Sequence, residues 1–217
     1  AVLGANTFTG TQQMPAIKIT TGAAAGKVLT SDADGDATWE AVGAVGGLQT
    51  IWIPAVAMIP RTTTGAAAGS TEMATNKNMF KTLDFDTAAD EHAQFAIQMP
   101  KSWDEGTVTF VPVWSHAATT TNFGVAWFLQ GVALSDGDAG DVAYGTAQSS
   151  IDTGGTTNDI YVGPASSAIT IDGTPAANDY VMFQIYRDVS DGGDTMAIDA
   201  RLHGVQIYYT TDAGTDA

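Results

Sequence analysis

Short runs in which apolar and polar residues alternate constrain the fold of this chain more than any other feature. In Gln94–Met99, the apolar residues Phe95, Ile97 and Met99 fall on one side of an extended chain, and the two glutamines fall on the other. A period of two is the mark of a strand that buries one face. This segment is therefore predicted to be a half-buried β-strand.

Similar apolar segments recur along the chain, separated by clusters rich in glycine, aspartate and threonine, which favour turns. Roughly eight to ten short strands with such turns are typical of a β-sandwich or jelly roll. Besides Gln94–Met99, the predicted strands are Gln49–Ile53, Met79–Phe85, Thr107–Trp114, Phe123–Leu134, Asp141–Thr146, Asp159–Val162, Ala168–Ile171, Tyr180–Tyr186 and Leu202–Tyr209.

Composition agrees with an all-β fold. Of the 217 residues, only 7 are leucine, 4 are glutamate and 3 are arginine, and soluble helices are built largely from these types. Aspartate supplies 20 of the 24 acidic residues, and aspartate marks turns rather than helix faces. We therefore predict an all-β protein whose main domain is a jelly-roll-like β-sandwich.

The charge balance excludes several kinds of partner and site. Lysine and arginine total 8 against 24 acidic residues, so the formal net charge is −16. Such a charge repels nucleic-acid phosphates and anionic lipid head groups, and neither a nucleic acid nor a membrane is expected as a partner. The chain has no cysteine, which excludes disulfides, thiolate metal sites and thiol nucleophiles.

The chain divides near residue 48. Residues 1–48 contain only two aromatic residues, Phe8 and Trp39, and end in a glycine- and alanine-rich stretch typical of a flexible linker. We predict a stem over residues 1–48 that attaches and trimerises the protein. Residues 49–217 hold the remaining aromatic residues and are predicted to form the β-sandwich head.

Two clusters of acidic residues are candidates for a bound calcium ion, because carboxylates suit a hard cation. The spacing of the first cluster does not fit an EF-hand loop, which needs glycine at position six and glutamate at position twelve. Solvated turns are the favoured interpretation, and no cofactor is expected. The candidate ligands are Asp32, Asp34, Asp36, Asp136 and Asp138.

No catalytic constellation is visible. His92, His116 and His203 are isolated, without the sequence context of a metalloprotease or a serine hydrolase. The adjacent acidic pairs, such as Asp104–Glu105, point to opposite faces if they lie in strands. We therefore predict that the protein is not an enzyme.

Aromatic residues concentrate in the middle of the head. A core role is favoured for them, because a sandwich with few leucines needs aromatic volume, and an exposed platform for sugar stacking is the alternative. One ring of the Tyr208–Tyr209 pair must face outward in a strand. The candidate interaction residues are Phe8, Trp39, Trp103, Trp114 and Tyr208.

Two of the three arginines lie close to acidic residues. Arg187 precedes Asp188, and Arg201 follows Asp199 by two positions. Structural ion pairs with these neighbours are predicted, and bridges between subunits are the alternative.

The stem carries the clearest resemblance to a known family. The segment Leu3–Gln12 (LGANTFTGTQ) resembles the N-T-F-T-G-x-Q segments of bacteriophage fibre proteins. Gly26–Trp39 (GKVLTSDADGDATW) resembles the G-x-V-L-x-S-D-x-x-G-x-x-x-W element of the same class. In the head, Leu83–Asp86 through Met99–Trp103 is similar to a module found at the ends of tailed-phage structural proteins.

This resemblance implies a non-enzymatic virion protein, commonly a homotrimer with a slender stem and a β-rich head. Heads of this family serve as head fibres, tail fibres, capsid decorations or host-attachment tips. Its partners would be copies of itself and other virion proteins such as capsid or tail, and its location would be the particle surface. The alternative function is a carbohydrate-binding module that recognises host surface glycans.

Overall fold

Extended segments dominate the computed structural model, which describes residues 27–31, 37–41, 46–118 and 123–214. In this part of the chain the only helical element is a 3-10 turn at Ala55–Ala57, and no helix has the length and apolar character needed to cross a membrane. The strands are β1 (Lys27–Ser31), β2 (Ala37–Ala41), β3 (Leu48–Pro54), β4 (Ile59–Pro60), β5 (Ala67–Glu72), β6 (Met79–Phe85), β7 (Glu91–Gln98), β8 (Thr109–His116), β9 (Phe123–Leu134), β10 (Gln148–Gly154), β11 (Tyr161–Val162), β12 (Tyr180–Arg187) and β13 (Ala200–Thr210).

The chain separates into two compact units, residues 1–43 and 44–217. In the first unit, β1 and β2 pair as an antiparallel hairpin in which Leu29 lies opposite Trp39. The segment Gly26–Trp39, which resembles the phage-fibre element, therefore includes all of β1 and the first three residues of β2. Phe8 and the side chain of Trp39 lie outside the described part of the structure.

The second unit consists of two antiparallel sheets. The five-stranded sheet has the order β10-β9-β12-β7-β4, and the other sheet has the order β11-β8-β13-β6-β5. In that six-stranded sheet, β13 pairs with β8 on one side, while β6 and β3 share its other side. From β7 to β9 the chain crosses from the five-stranded sheet to the other sheet and back, and it does so again from β10 to β12. One more crossing leads to β13. The predicted all-β class, with two antiparallel sheets, is confirmed.

The core lies between the two sheets. The long strands alternate between the core and the outside, as predicted: Phe95, Ile97 and Met99 are all buried. In β13 a register shift between Leu202 and Gly204 changes the buried set from even-numbered to odd-numbered positions. Phe85 of β6 meets Trp127 of β9 edge to face across the interior, with 5.0 Å between ring centroids. Apolar burial of this kind is the main force that stabilises a sandwich of two sheets.

Most of the clustered aromatic residues belong to this core. Trp103 is 1% exposed, and Trp114 and Trp127 are fully buried. The prediction that Trp103 and Trp114 are interaction residues is therefore wrong, because the indole rings have no surface left to offer a partner. The core role favoured for these residues is confirmed, whereas Phe128 faces outward and is half-buried.

A buried arginine connects the two sheets. Arg187 ends β12, is fully buried, and forms a bidentate pair with Asp194, with two N–O distances of 2.8 Å. Its other donors reach backbone carbonyls, including that of Phe85 at the end of β6 in the opposite sheet. The predicted pair with Asp188 is wrong, because the loop after β12 folds back and brings Asp194 to the guanidinium.

Arg201 also has a different partner from the predicted one. Its guanidinium lies 4.0 Å from the carboxylate of Asp84 on the neighbouring strand β6, and it donates a hydrogen bond to the side chain of Asn158. In the sequence Asp199 is close, but cross-strand register places Arg201 directly opposite Asp84. Pairing between strands, rather than proximity along the chain, selects the partner.

Candidate functional site

The acidic candidates for a metal site do not converge. Asp136 and Asp138 are exposed in the turn after β9, and the carboxylate of Asp138 accepts a hydrogen bond from the Ser135 backbone N–H at 2.8 Å. No group of three or more histidine, aspartate or glutamate side chains gathers at one point in the described ranges. The other candidates, Asp32, Asp34 and Asp36, lie outside the described residues.

The outward side of the five-stranded sheet has an unusual composition for so acidic a protein. The outward positions of β7, β9 and β12 hold no carboxylate, although the chain has 24 acidic residues. They carry rings and amides in two adjacent rows that run across the strands. We name this surface the amide–aromatic face and define it by His92, Gln94, Phe128, Gln130, Gln184 and Tyr186.

The ring row is a continuous stack. Tyr186 of β12 lies opposite His92 of β7 on one side and Phe128 of β9 on the other. The His92 and Tyr186 ring centroids are 5.0 Å apart, and those of Tyr186 and Phe128 are 5.3 Å apart, with interplanar angles of 24° and 17°. Rings at these separations attract one another beyond the area they bury. The stack therefore holds three half-buried rings in fixed positions.

The amide row lies two residues from the ring row: later in β7 and β9, and earlier in the antiparallel strand β12. Gln184 stands opposite Gln94 in β7 and Gln130 in β9. The Gln94 side-chain amide donates to the side-chain oxygen of Gln184 at 3.2 Å, and Gln184 is only 6% exposed. Neighbouring strands are about 4.8 Å apart, so donors and acceptors repeat at that spacing across the sheet.

Two tyrosines and an arginine flank these rows. Tyr180 at the start of β12 is 51% exposed. The pKa of Tyr144 is raised, mainly by burial. The positive charge of Arg61 opposes this shift, and the nearby phenol of Tyr180 adds to it. The Arg61 backbone N–H donates to the carbonyl of His92 at 3.2 Å. Burial, followed by the charge of Arg61, lowers the pKa of His92. Arg61 therefore supplies positive charge at the rim of the amide–aromatic face.

A polar cleft adjoins this surface. It has a volume of about 350 Å³ and is lined by Tyr144, Gln148, Thr170 and Asp172, among others. Tyr144 belongs both to the wall of the cleft and to the tyrosine pair that flanks the face.

The outward side of the six-stranded sheet is different. It carries Trp52 of β3, which is 46% exposed, together with His203, Gln206 and Tyr208 of β13. We name this surface the Trp52 face and define it by Trp52, Ser115, His203, Gly204, Gln206 and Tyr208. Of the predicted Tyr208–Tyr209 pair, Tyr208 turns outward and donates its hydroxyl hydrogen to Gln206, while Tyr209 is buried.

Sequence reasoning did not find the residues that define the amide–aromatic face. Gln94 and Gln184, which share a hydrogen bond, are separated by 90 positions in the chain. Among the predicted interaction residues, Tyr208 reaches an outward face, whereas Trp103 and Trp114 do not. One available signal was the position of Gln94, Gln130 and Gln184, each flanked by apolar residues within a predicted strand.

No protein-family model matches the sequence, and no curated protein matches it. Among solved structures, the chain is similar to TmCBM27, a carbohydrate-binding module with specific mannan recognition (10% identity, 76% of this chain, 98% of that chain, TM-score 0.36). It is also similar to a family 11 carbohydrate-binding module from Clostridium thermocellum (8% identity, 85% and 96% covered, TM-score 0.34). A chain of infectious bursal disease virus, Gx strain, has 10% identity over 93% of this chain and 38% of its own length (TM-score 0.34). Likenesses at this level bear on neither ligand nor function.

Proposed function

We propose that residues 44–217 form a non-catalytic glycan-binding module that holds its ligand on the amide–aromatic face. The observation that carries the proposal is the pairing of an amide row with a ring row on a sheet surface without carboxylates. A sugar hydroxyl both donates and accepts hydrogen bonds, and a glutamine side chain offers one group of each kind. The rings supply apolar contact for the C–H groups of a sugar.

The preorganisation of these side chains favours binding. Gln184 is held by Gln94, and Tyr186 is held between two rings, so little side-chain entropy is lost when a ligand is bound. The net charge of −16 opposes polyanionic ligands such as nucleic acids. A neutral or weakly charged oligosaccharide therefore suits this surface better than a phosphate-rich polymer.

The proposed biological setting is a bacteriophage particle surface. In this setting residues 1–48 attach and trimerise the protein, and the head is displayed toward the host. The motifs Leu3–Gln12 and Gly26–Trp39 support this setting by their resemblance to phage fibre proteins. The β1–β2 hairpin is consistent with it, because an isolated two-stranded hairpin is marginal in water and gains a core by associating with copies of itself. No enzymatic activity and no cofactor are part of this proposal.

Binding is tested on a glycan array and by calorimetry with the full chain. Gln130→Ala removes one amide of the row and is expected to weaken binding about tenfold, the equivalent of one lost hydrogen bond. Thr107→Ala, at an exposed position before β8, is the matched control and should bind as the wild type does. A wild-type chain that binds no glycan, or a Gln130→Ala variant with unchanged affinity, would refute the proposal.

The oligomeric state is tested separately by sedimentation equilibrium. A homotrimer of the 22.4 kDa chain is expected to sediment with three times that mass. A full chain that sediments as a monomer at micromolar concentration contradicts the trimeric stem. It leaves the glycan proposal untouched, because that proposal concerns residues within one head.

A further inference from the structure

Trp52 covers a glycine on the neighbouring strand. Gly204 of β13 lies beside Trp52, and a Cβ placed on Gly204 would sit 2.5 Å from Cη2 and 2.6 Å from Cζ2 of the indole. The six-membered ring therefore rests on the backbone at Gly204, where any side chain would displace it. Because Trp52 is nevertheless 46% exposed, part of the ring remains open to solvent.

The polar groups around Trp52 are held in place. Gln206 lies directly opposite Trp52 in register, and the Tyr208 hydroxyl donates to the side-chain oxygen of Gln206. His203 is held in two ways: its Nε2 lies 2.9 Å from the Ser115 hydroxyl, and its ring packs edge to face on Phe80 at 5.0 Å. An open indole thus lies among side chains that have fixed donors and acceptors.

The small amount of exposed apolar surface around Trp52 indicates a small ligand rather than a protein partner. A stable protein interface buries roughly 800 Å² on each partner, with several aromatic or aliphatic anchors. On the outward side of the six-stranded sheet, the large apolar side chains that the structure shows exposed are Leu48, Trp52 and Val162. Leu48 lies four residues from Trp52 along β3, about 13 Å away, and Val162 lies on β11, so the three do not form one apolar patch. The one arginine on this side, Arg201, is paired with Asp84, so no unbalanced charge is available for an ionic ligand. A single uncharged ring of about the size of an indole fits this surface.

We infer that the Trp52 face is a second sugar-binding site, in which the indole of Trp52 stacks on the apolar side of a hexopyranose and Gln206 and His203 hydrogen-bond its hydroxyls. The inference rests on the proposed glycan-binding function of the head, and it adds a site on the opposite sheet. Each head then has two contacts with a glycan, and simultaneous occupation raises the overall affinity for a polymer.

Intrinsic fluorescence tests this inference on the full chain. Trp103, Trp114 and Trp127 are buried, so a change in solvent contact at Trp52 dominates the response of the described tryptophans. Titration with hexasaccharides of glucose, mannose or galactose is expected to shift the emission to shorter wavelength and to protect Trp52 from acrylamide. A Trp39→Phe variant should keep this response, which excludes the stem tryptophan as its source.

Two substitutions distinguish the second site from the first. Trp52→Ala is expected to abolish the fluorescence response and to weaken binding at this site about 30-fold or more, as for a central aromatic anchor. Trp52→Phe keeps a ring and should retain part of the affinity. Gln130→Ala, on the other sheet, should leave the Trp52 response intact. Met79→Ala, which removes another exposed apolar side chain at the start of β6 and outside both defined faces, is the control for a nonspecific effect.

The outcomes separate the two proposals. Glycan binding that Gln130→Ala weakens and Trp52→Ala does not would overturn the second site alone. A wild-type chain that binds no hexasaccharide and no glycan on the array would overturn both. If Trp52→Ala lowers the sedimenting mass of the protein, a second copy of the chain covers Trp52, and the sugar site is refuted.

Discussion

The two outward faces of the sandwich hold aromatic rings in different ways. On the amide–aromatic face, Tyr186 lies between His92 and Phe128, and all three rings are half-buried against one another. On the Trp52 face, the ring meets Gly204, which has no side chain, and it stays 46% exposed. The residues on adjacent strands therefore decide whether an outward aromatic ring is packed against other side chains or remains exposed to solvent.

Both faces are nearly free of acidic side chains because the aspartates lie in the turns. Several of these carboxylates accept a hydrogen bond from a backbone N–H two positions further on, which stabilises a tight turn. Examples are Gly106 N–H to Asp104 at 2.9 Å, Ser190 N–H to Asp188 at 3.0 Å and Gly193 N–H to Asp191 at 2.7 Å. The prediction that aspartate marks turns is confirmed at these positions.

The largest effect is expected from a substitution that destabilises the whole sandwich, because both faces depend on the two sheets staying packed together. Arg187→Met leaves the buried carboxylate of Asp194 without its partner and removes the bond to Phe85 in the opposite sheet. Breaking a buried pair in this way costs about 3–5 kcal/mol of the free energy of unfolding. Urea denaturation measures the loss.

Arg201→Met is the matched control for Arg187→Met. Its pair with Asp84 is 4.0 Å long and partly exposed, so the expected loss is below about 1 kcal/mol. Equal losses for the two variants would show that the connection between the sheets does not depend on Arg187.

A smaller effect is expected from a change confined to the Trp52 face. In Gly204→Ala, the new Cβ would meet the backbone oxygen of Ile53 at 2.5 Å as well as the indole. Strand β3 or Trp52 must move, at a cost of about 1–3 kcal/mol. Urea denaturation and acrylamide quenching of Trp52 report the two consequences.

The control for this prediction is Gly192→Ala. A Cβ at Gly192 would meet nothing within 4 Å, so the free energy of unfolding should change by less than about 0.5 kcal/mol. If Gly204→Ala is as stable as the wild type and its Trp52 is no more accessible to acrylamide, the close approach of Trp52 to β13 is incorrect.

The smallest effect is a pH dependence shared by the two faces. Burial is the main cause that lowers the pKa of both His92 and His203 below 6.5. The positive charge of Arg61 lowers the pKa of His92 further. At His203, the charge of Arg201 lowers the pKa further and that of Asp84 opposes the shift. Below pH 6.5 the unfolded chain binds more protons than the folded chain, so the free energy of unfolding falls as the pH decreases.

Comparison of His92→Gln and His203→Gln sharpens this prediction. Each variant should show a smaller loss of stability than the wild type when urea denaturation is repeated between pH 7 and about pH 5. Burial raises the pKa of Glu91 above 4.5, so the folded chain binds more protons at this group than the unfolded chain does. Glu91 therefore increases the free energy of unfolding as the pH falls further, which is opposite to the effect of the two histidines. A wild-type stability that is constant from pH 7 to about pH 5 would contradict the prediction.

Strands with a strong apolar pattern were predictable from sequence. The structure has β6 at Met79–Phe85 and β9 at Phe123–Leu134, with the predicted bounds. Strand β10 (Gln148–Gly154) was missed because Gln-Ser-Ser-Ile-Asp-Thr-Gly has no apolar alternation, and pairing with β9 supplies its structure. The predicted strand at Asp141–Thr146 is wrong: this segment is irregular, and its Gly145 N–H donates to the Gly131 carbonyl.

The candidate site was less predictable than the fold. Alternation indicates that Gln130 and Gln184 face outward, yet it does not indicate which strands are neighbours or in what register they pair. Gln184 could have stood beside any outward residue of another strand. The row arises only because β12 lies between β7 and β9 in one specific register.

Sequence alone therefore determined the all-β class, the concentration of aspartate in turns and the side of each regular strand that is buried. These properties are local, since they depend on backbone preference and on a period of two. Tertiary structure decided which rings stack, which carboxylate holds Arg187, and why Trp52 stays open while Trp103 and Trp114 are buried. Those outcomes depend on contacts between residues far apart in the chain, and only the paired and packed sheets bring such residues together.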